Sequence, residues 1–239
     1  MSDADPEYVH DHPTVRGFVE TVHDRADEYE AVPDLLDALE PAFEDLLADD
    51  DWLPEQYRRL PGDDYDDKGE MGDDIAQWLL YREGSKLALF TLVLPEGAST
   101  PVHDHLAWGM VGLHGGRQRE TFYRRVDDGE GDRADLTEIR SEEMSRGDYY
   151  RLVPPENDIH RVETVSTAPS VSVHLLGADV GCIERHAYDP GEGAVDPFVS
   201  GYTNVECEIE VTGHGHEGSH VHTGDGDHSH DHALDGRSP

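Results

Sequence analysis

Lysine is nearly missing from this sequence: Lys68 and Lys86 are the only two among 239 residues. Cysteine is as scarce, with Cys182 and Cys207 alone. Two cysteines do not make a disulfide framework, and nothing in their setting favours a pair. No apolar run reaches the roughly 18 residues that a membrane-crossing helix needs, so no membrane partner is expected. The opening MSDADPEYVHDHP has neither a basic start nor an apolar stretch. No signal peptide is read there, and the cytoplasm is the default location. Positive charge is short overall: 18 Lys and Arg stand against 54 acidic residues, a formal net charge of -36. Such a surface repels phosphate, which argues against a nucleic-acid partner. An acidic, lysine-poor composition is expected of a halophilic protein, because salt screens its self-repulsion.

What is present suits one domain of ordinary size with appended segments. Residues 1–74 read as an N-terminal helical section with an acidic loop, and residues 1–12 are expected to fray. Val15, Phe18, Val19 and Val22 fall at helical spacing, and Leu35, Leu36, Leu39, Phe43, Leu46 and Leu47 repeat it. Pro33 fits a first helical turn, whereas Pro41 is expected to break or kink the second helix. A short helix is expected within 54–60. From Ile75 the period changes to short strands with turn signals about every ten residues, which argues for a sandwich or barrel over 75–205. Residues 187–205 give little regular signal. Residues 206–239, rich in His, Gly and Asp, read as a disordered tail able to chelate metal loosely.

The chemistry gathers between Pro95 and Tyr123. His103 and His105 are one residue apart, so on a strand both rings face one side and reach one point. That is a way to offer a metal two nitrogens. Further on come Gly147, Pro155, Asn157 and His160. The spacing Gly97-x5-His103-x-His105, with Gly109 and Gly116 after it, resembles the first motif of the cupin superfamily. The second stretch resembles the second motif in part. There Asn157 stands where Gly is usual, Pro155 is displaced by two residues, and Thr164 replaces a final Asn. Asn enters the left-handed backbone region more readily than most residues, so that exchange is tolerable. The resemblance implies an all-β double-stranded β-helix, a jelly-roll barrel, behind the helical section. It also implies a metal held by His103, His105 and His160. Gly109 occupies the position of the usual metal-binding Glu, so the ligand set is three neutral histidines.

The segments TPVHDHLAWGMVGLHGG, PPENDIHRVETV and PSVSVHLLGADVGCIERHAYDP resemble thiol dioxygenases of the cysteine dioxygenase and 3-mercaptopropionate dioxygenase group. That resemblance implies Fe(II), O2 and a small thiol as partners, with a sulfinic acid as product. It matches Ser172 and His174 to the Ser and His of an outer S-x-H-x-Y set, but Leu176 stands where the Tyr should be. Either Tyr149, Tyr150 or a water takes over from the missing hydroxyl, or the chemistry has drifted. Arg185 matches the substrate-carboxylate arginine of the mercaptopropionate branch, and Arg82 lies near that of the cysteine branch. Trp108 is expected as a pocket wall. His114 and His186 are expected on the surface, and Glu120 at an exposed barrel position. A monomer or small homo-oligomer is expected. Two other readings stay open: a metal-binding cupin without turnover, and a three-histidine dioxygenase for another small acid.

Overall fold

The structure, a computed structural model, describes residues 6–62, 74–129 and 131–207. The tail from residue 208 and most of the acidic loop lie outside the described residues. Two helices follow a short first strand, α1 (Pro13–Glu28) and α2 (Val32–Ala48). The strands are β1 (Pro6–Tyr8), β2 (Ala76–Glu83), β3 (Leu87–Leu94), β4 (Val102–His103), β5 (Gly109–Gly115) and β6 (Arg117–Arg125). After them come β7 (Leu136–Ser145), β8 (Tyr149–Leu152), β9 (Ile159–Thr164), β10 (Ser170–Leu176), β11 (Arg185–Asp189) and β12 (Ala194–Phe198).

They form two six-stranded antiparallel sheets, in the orders β1-β2-β3-β10-β5-β8 and β12-β11-β4-β9-β6-β7. Strands adjacent in sequence repeatedly fall in opposite sheets, which is the winding of a double-stranded β-helix. The fold class expected from the motifs is the one observed.

Alternation along the first sheet decides what each face meets. Trp78, Leu89, Val93, Val171, Val173 and Leu175 join one core with the apolar stripes of α1 and α2. Leu79, Phe90, Val111, Leu113 and Leu176 belong to a second core, with Phe122 and Tyr150. Helix α2 approaches β5 closely enough that a Cβ at Gly112 would meet Leu47 at 2.4 Å.

Several expectations need correcting. Pro6–Tyr8 does not fray but pairs with β2, and the Tyr8 ring lies 4.7 Å from that of Tyr81. Pro41 does not break α2. It lies on the exposed face, as does Asp37, whose carbonyl loses the helical bond that proline cannot give. The 54–60 helix is one short 3-10 turn, Glu55–Tyr57. The β11–β12 hairpin runs into 187–205, obscured in sequence by Pro197 on an edge strand. Cys182 and Cys207 form a disulfide across 25 residues. Among the described residues, no helix is long and apolar enough to cross a membrane.

Candidate metal centre

His103 ends β4 and lies opposite His160 of β9 in register. His105 is not on that strand, which stops at His103, so the alternation argument holds for one histidine only. A turn brings the second ring back. Leu106 takes φ +55°, a left-handed conformation that few side chains adopt. Asp158 fixes the turn, its Oδ1 accepting from the His105 and Leu106 amides at 3.0 Å each. Asn157 takes φ +61°, the conformation expected of it in place of glycine. Asp104 ties the same turn to β11, accepting from the His186 amide at 2.9 Å and the Tyr188 hydroxyl at 2.8 Å.

The three rings converge, with centroids 4.8 to 5.0 Å apart. Each ring has its Nδ1 engaged: His103 with Pro101 O at 3.0 Å, His105 with Asp158 O at 3.1 Å, His160 with Glu120 Oε2 at 3.0 Å. That arrangement leaves the Nε2 lone pairs for a ligand. Burial, and after it the neighbouring His160, pulls the His103 and His105 rings well below the usual histidine range. Burial, then Arg185, pulls His160 down to about 3. The rings are therefore neutral at neutral pH, as metal ligation requires. His160 Nε2 is buried with no hydrogen-bond partner. One potential ligand atom from each ring lies within 4.8 Å of the other two. An orphaned nitrogen amid neutral imidazoles fits a divalent transition metal.

No carboxylate joins them from β5. A side chain at Gly109 would come within 2.3 Å of Leu176 Cδ2 and 2.4 Å of the Leu175 carbonyl. Leu176 thus fills the space a residue at 109 would need, and its own position offers carbon where a hydroxyl was expected. Ser172 and His174 share the inward face of β10, with Ser172 Oγ 2.9 Å from His174 Nε2. The His174 ring stacks on Phe90 at 4.7 Å, and its Nδ1 is buried without a partner.

Arg185 shares a cavity with His103, His105, His174 and Gln77. Its Nε donates to Val180 O at 3.0 Å, its Nη2 to Ser200 Oγ at 2.9 Å, and its Nη1 to Asp104 O. Burial holds its pKa down to about 10, so it stays charged at neutral pH. Three of five N–H groups are thus taken, and among the described residues no carboxylate is in ion-pair contact with it. Arg82 is placed elsewhere: its Nε meets Glu7 Oε2 at 2.6 Å and its Nη1 lies 3.7 Å from Asp179, away from the cavity-lining set. Trp108 packs with the helix-covered core, where a Cβ at Gly177 would strike its ring.

Two other placements differ from expectation. His114 is buried, beside Trp52. Glu120 is 0% exposed and bonded to His160. Sequence reasoning passed over Glu120, Gln77 and Ser200. A signal existed for the first: Gln118, Glu120 and Phe122 alternate on β6, and Phe122 lies opposite His160 in register. Burial, and then Glu142, pushes the Glu120 carboxyl well above the usual range.

No family model matches the sequence. Among solved structures, an oxalate oxidase is similar over 39% of this chain and 42% of its own, at 16% identity and TM-score 0.31. The cupin domain of Schizosaccharomyces pombe Cnp3 is similar over 44% and 61%, at 11% identity and TM-score 0.34. A double-stranded β-helix protein of Klebsiella pneumoniae is similar over 60% and 92%, at 13% identity and TM-score 0.34. The chain spans less than two thirds of the oxalate oxidase and of the Cnp3 domain. From its own sheet order and register, this chain is a double-stranded β-helix enclosing three histidines.

Proposed function

We propose that this protein is a non-haem Fe(II) dioxygenase that converts a small thiol carboxylate, of cysteine or 3-mercaptopropionate type, into its sulfinic acid. Both atoms of O2 join the sulfur and no outside reductant is consumed. The observation that carries the reading is a buried Arg185, with no carboxylate in direct contact, lining one cavity with neutral histidines. A buried cation without a carboxylate is costly, and an anionic substrate removes that cost. Neutral ligands leave a divalent metal its whole charge, which a thiolate compensates.

Bound at the three rings, Fe(II) would supply the redox chemistry that lets O2 add to a thiolate. The chain's own residues bind and orient. Arg185, fixed by Val180, Asp104 and Ser200, keeps two N–H groups for the substrate carboxylate, a planar fork matched to it. Holding that end positions the sulfur end, the proximity contribution to rate. His174, fixed by Ser172, offers its free Nδ1 to a substrate group or water. Phe90, Leu92 and Val180 keep bulk water out.

One observation favours a second reading. The cavity is about 10 Å³, near the room of a single water. Together with Leu176, that tightness suits a metal-holding protein without turnover. Oxygen uptake by anaerobically Fe(II)-loaded protein in high salt, with cysteine, 3-mercaptopropionate and cysteamine, separates the two. The dioxygenase reading expects uptake matched by sulfinate with a carboxylate-bearing thiol and little with cysteamine. No uptake with any thiol leaves the metal-holding reading.

A further inference from the structure

The three ligand rings are not held alike. Main-chain carbonyls, those of Pro101 and Asp158, engage His103 and His105. Side chains engage His160: Glu120 Oε2 at 3.0 Å and the Tyr150 hydroxyl at 3.1 Å from the same Nδ1. They come from opposite sheets, Glu120 from β6 and Tyr150 from β8. The pair is walled in. The Phe122 ring stands edge-on to Tyr150 at 5.0 Å, and the Arg140 guanidinium covers Phe122 at 3.6 Å. Glu120 makes no ion pair with an Arg or Lys among the described residues; it meets the neutral His160 ring through a hydrogen bond.

A fully buried carboxyl without a cation is hard to account for as packing, since an apolar residue of that size would fill the place at lower cost. It is accounted for if its task is to face the ring. His160 needs such a device more than the other two. They have a main-chain carbonyl behind Nδ1, His103 that of Pro101 two residues before it and His105 that of Asp158, whereas β9 carries His160 as an ordinary strand residue backed by side chains.

We propose that Glu120, steadied by Tyr150, is a positioning residue for His160. Its oxygen accepts the Nδ1 proton, which fixes the tautomer and holds Nε2 toward the point shared with His103 and His105. Glu120 touches neither metal nor substrate; it acts through the ring. The inference rests on reading the three histidines as a metal site. It assigns to a neighbouring strand the carboxyl that β5 cannot supply at Gly109, one layer further out.

The test is Co(II) binding by the full chain, read from the visible bands of the buried ion, with H103A as the blank for cobalt held by the tail. Glu120→Leu removes the acceptor and is expected to lower affinity 10- to 100-fold. Glu120→Gln keeps a carbonyl oxygen there and is expected to return within about fivefold of the parent. Thermal midpoints of the metal-free variants should follow a different order, because Glu120→Leu also removes a buried polar group. An affinity for Glu120→Leu within twofold of the parent overturns the inference, and so does Glu120→Gln binding as weakly as Glu120→Leu. Should Glu120→Leu fail to fold, Tyr150→Phe replaces it: about a fivefold loss is expected, and unchanged affinity overturns the inference. A parent chain that binds no more cobalt than H103A sinks the metal site itself, a separate result.

Discussion

The two faces of the first sheet are built for different ends from the same strands. On β10, Val171, Val173 and Leu175 turn to the helices, while Ser172, His174 and Leu176 turn inward. Outside, aliphatic and aromatic side chains interdigitate with α1 and α2, and burial there is nearly all gain. Inside lie Arg185, Glu120 and four buried histidines, each of which costs free energy to remove from water. The contrast teaches where stability comes from: the helical section supplies it on one face, and the other face can then hold polar groups aimed at a ligand.

The sharpest break of that comparison is Phe43→Ala. Phe43 is fully buried between Phe18 and Tyr149 on the helix-covered face. Its truncation should cost about 3–5 kcal/mol, read as a lower urea midpoint at constant slope. Metal affinity of the protein that remains folded should not move. A loss of affinity as large as the loss of stability would mean that the two faces are not separable.

Next in size is the disulfide. Cys182–Cys207 closes a loop of 25 residues containing Arg185 and Ser200. By chain entropy, cutting it should cost about 3 kcal/mol. Thermal midpoints with and without reductant, and of Cys182→Ser, should agree on the shift, and the reductant should leave Cys182→Ser unchanged.

How much of this could be read beforehand differs between the faces. The outer face was legible because its information is local: Leu35, Leu39, Phe43 and Leu46 repeat at helical spacing, and β10 alternates. The metal point was legible in part. His103, His105 and His160 all emerged with the motif, but His105 converges through a loop in which Leu106 turns left-handed under Asp158, a geometry that alternation does not predict. Glu120 was hidden by composition: among 54 acidic residues, one more reads as surface. Only the pairing of β6 with β9 turns it inward toward His160. The disulfide was hidden because two cysteines carry no spacing pattern, and their approach depends on how the last described segment crosses the barrel end.

The outer face also buries a histidine, which offers a smaller test. His114 on β5 is buried beside Trp52, its Nε2 3.8 Å from Asp50 Oδ1. Burial, and then Arg146, lowers its pKa, with Asp50 opposing. The folded state therefore prefers the neutral ring. As pH falls below about 6.5, the unfolded chain takes up a proton that the folded chain refuses. The stability contributed by the neutral ring is full above that pH and declines toward the lowered folded value, at up to about 1.4 kcal/mol per pH unit. His114→Gln should flatten the urea midpoint between pH 7.5 and 5.5 relative to the parent. An identical pH dependence in both would place the acid sensitivity with other groups, the inner histidines and His10 among them.

The smallest expected effect on stability is the most telling about the inner face. His174 stacks on Phe90 and bonds to Ser172, yet its Nδ1 has no partner. His174→Leu removes that unsatisfied nitrogen, fills most of the space, and strands only a hydroxyl that can rotate. Lost hydrogen bond and relieved desolvation should nearly cancel, leaving the urea midpoint within about 1 kcal/mol of the parent. A core residue chosen for packing would not behave that way, as Phe43→Ala measures on the other side of the same sheet. If His174→Leu costs as much as Phe43→Ala, the inward face is ordinary core and its polar groups are structural. If it costs almost nothing while oxygen uptake with a thiol carboxylate collapses, His174 is kept for the ligand.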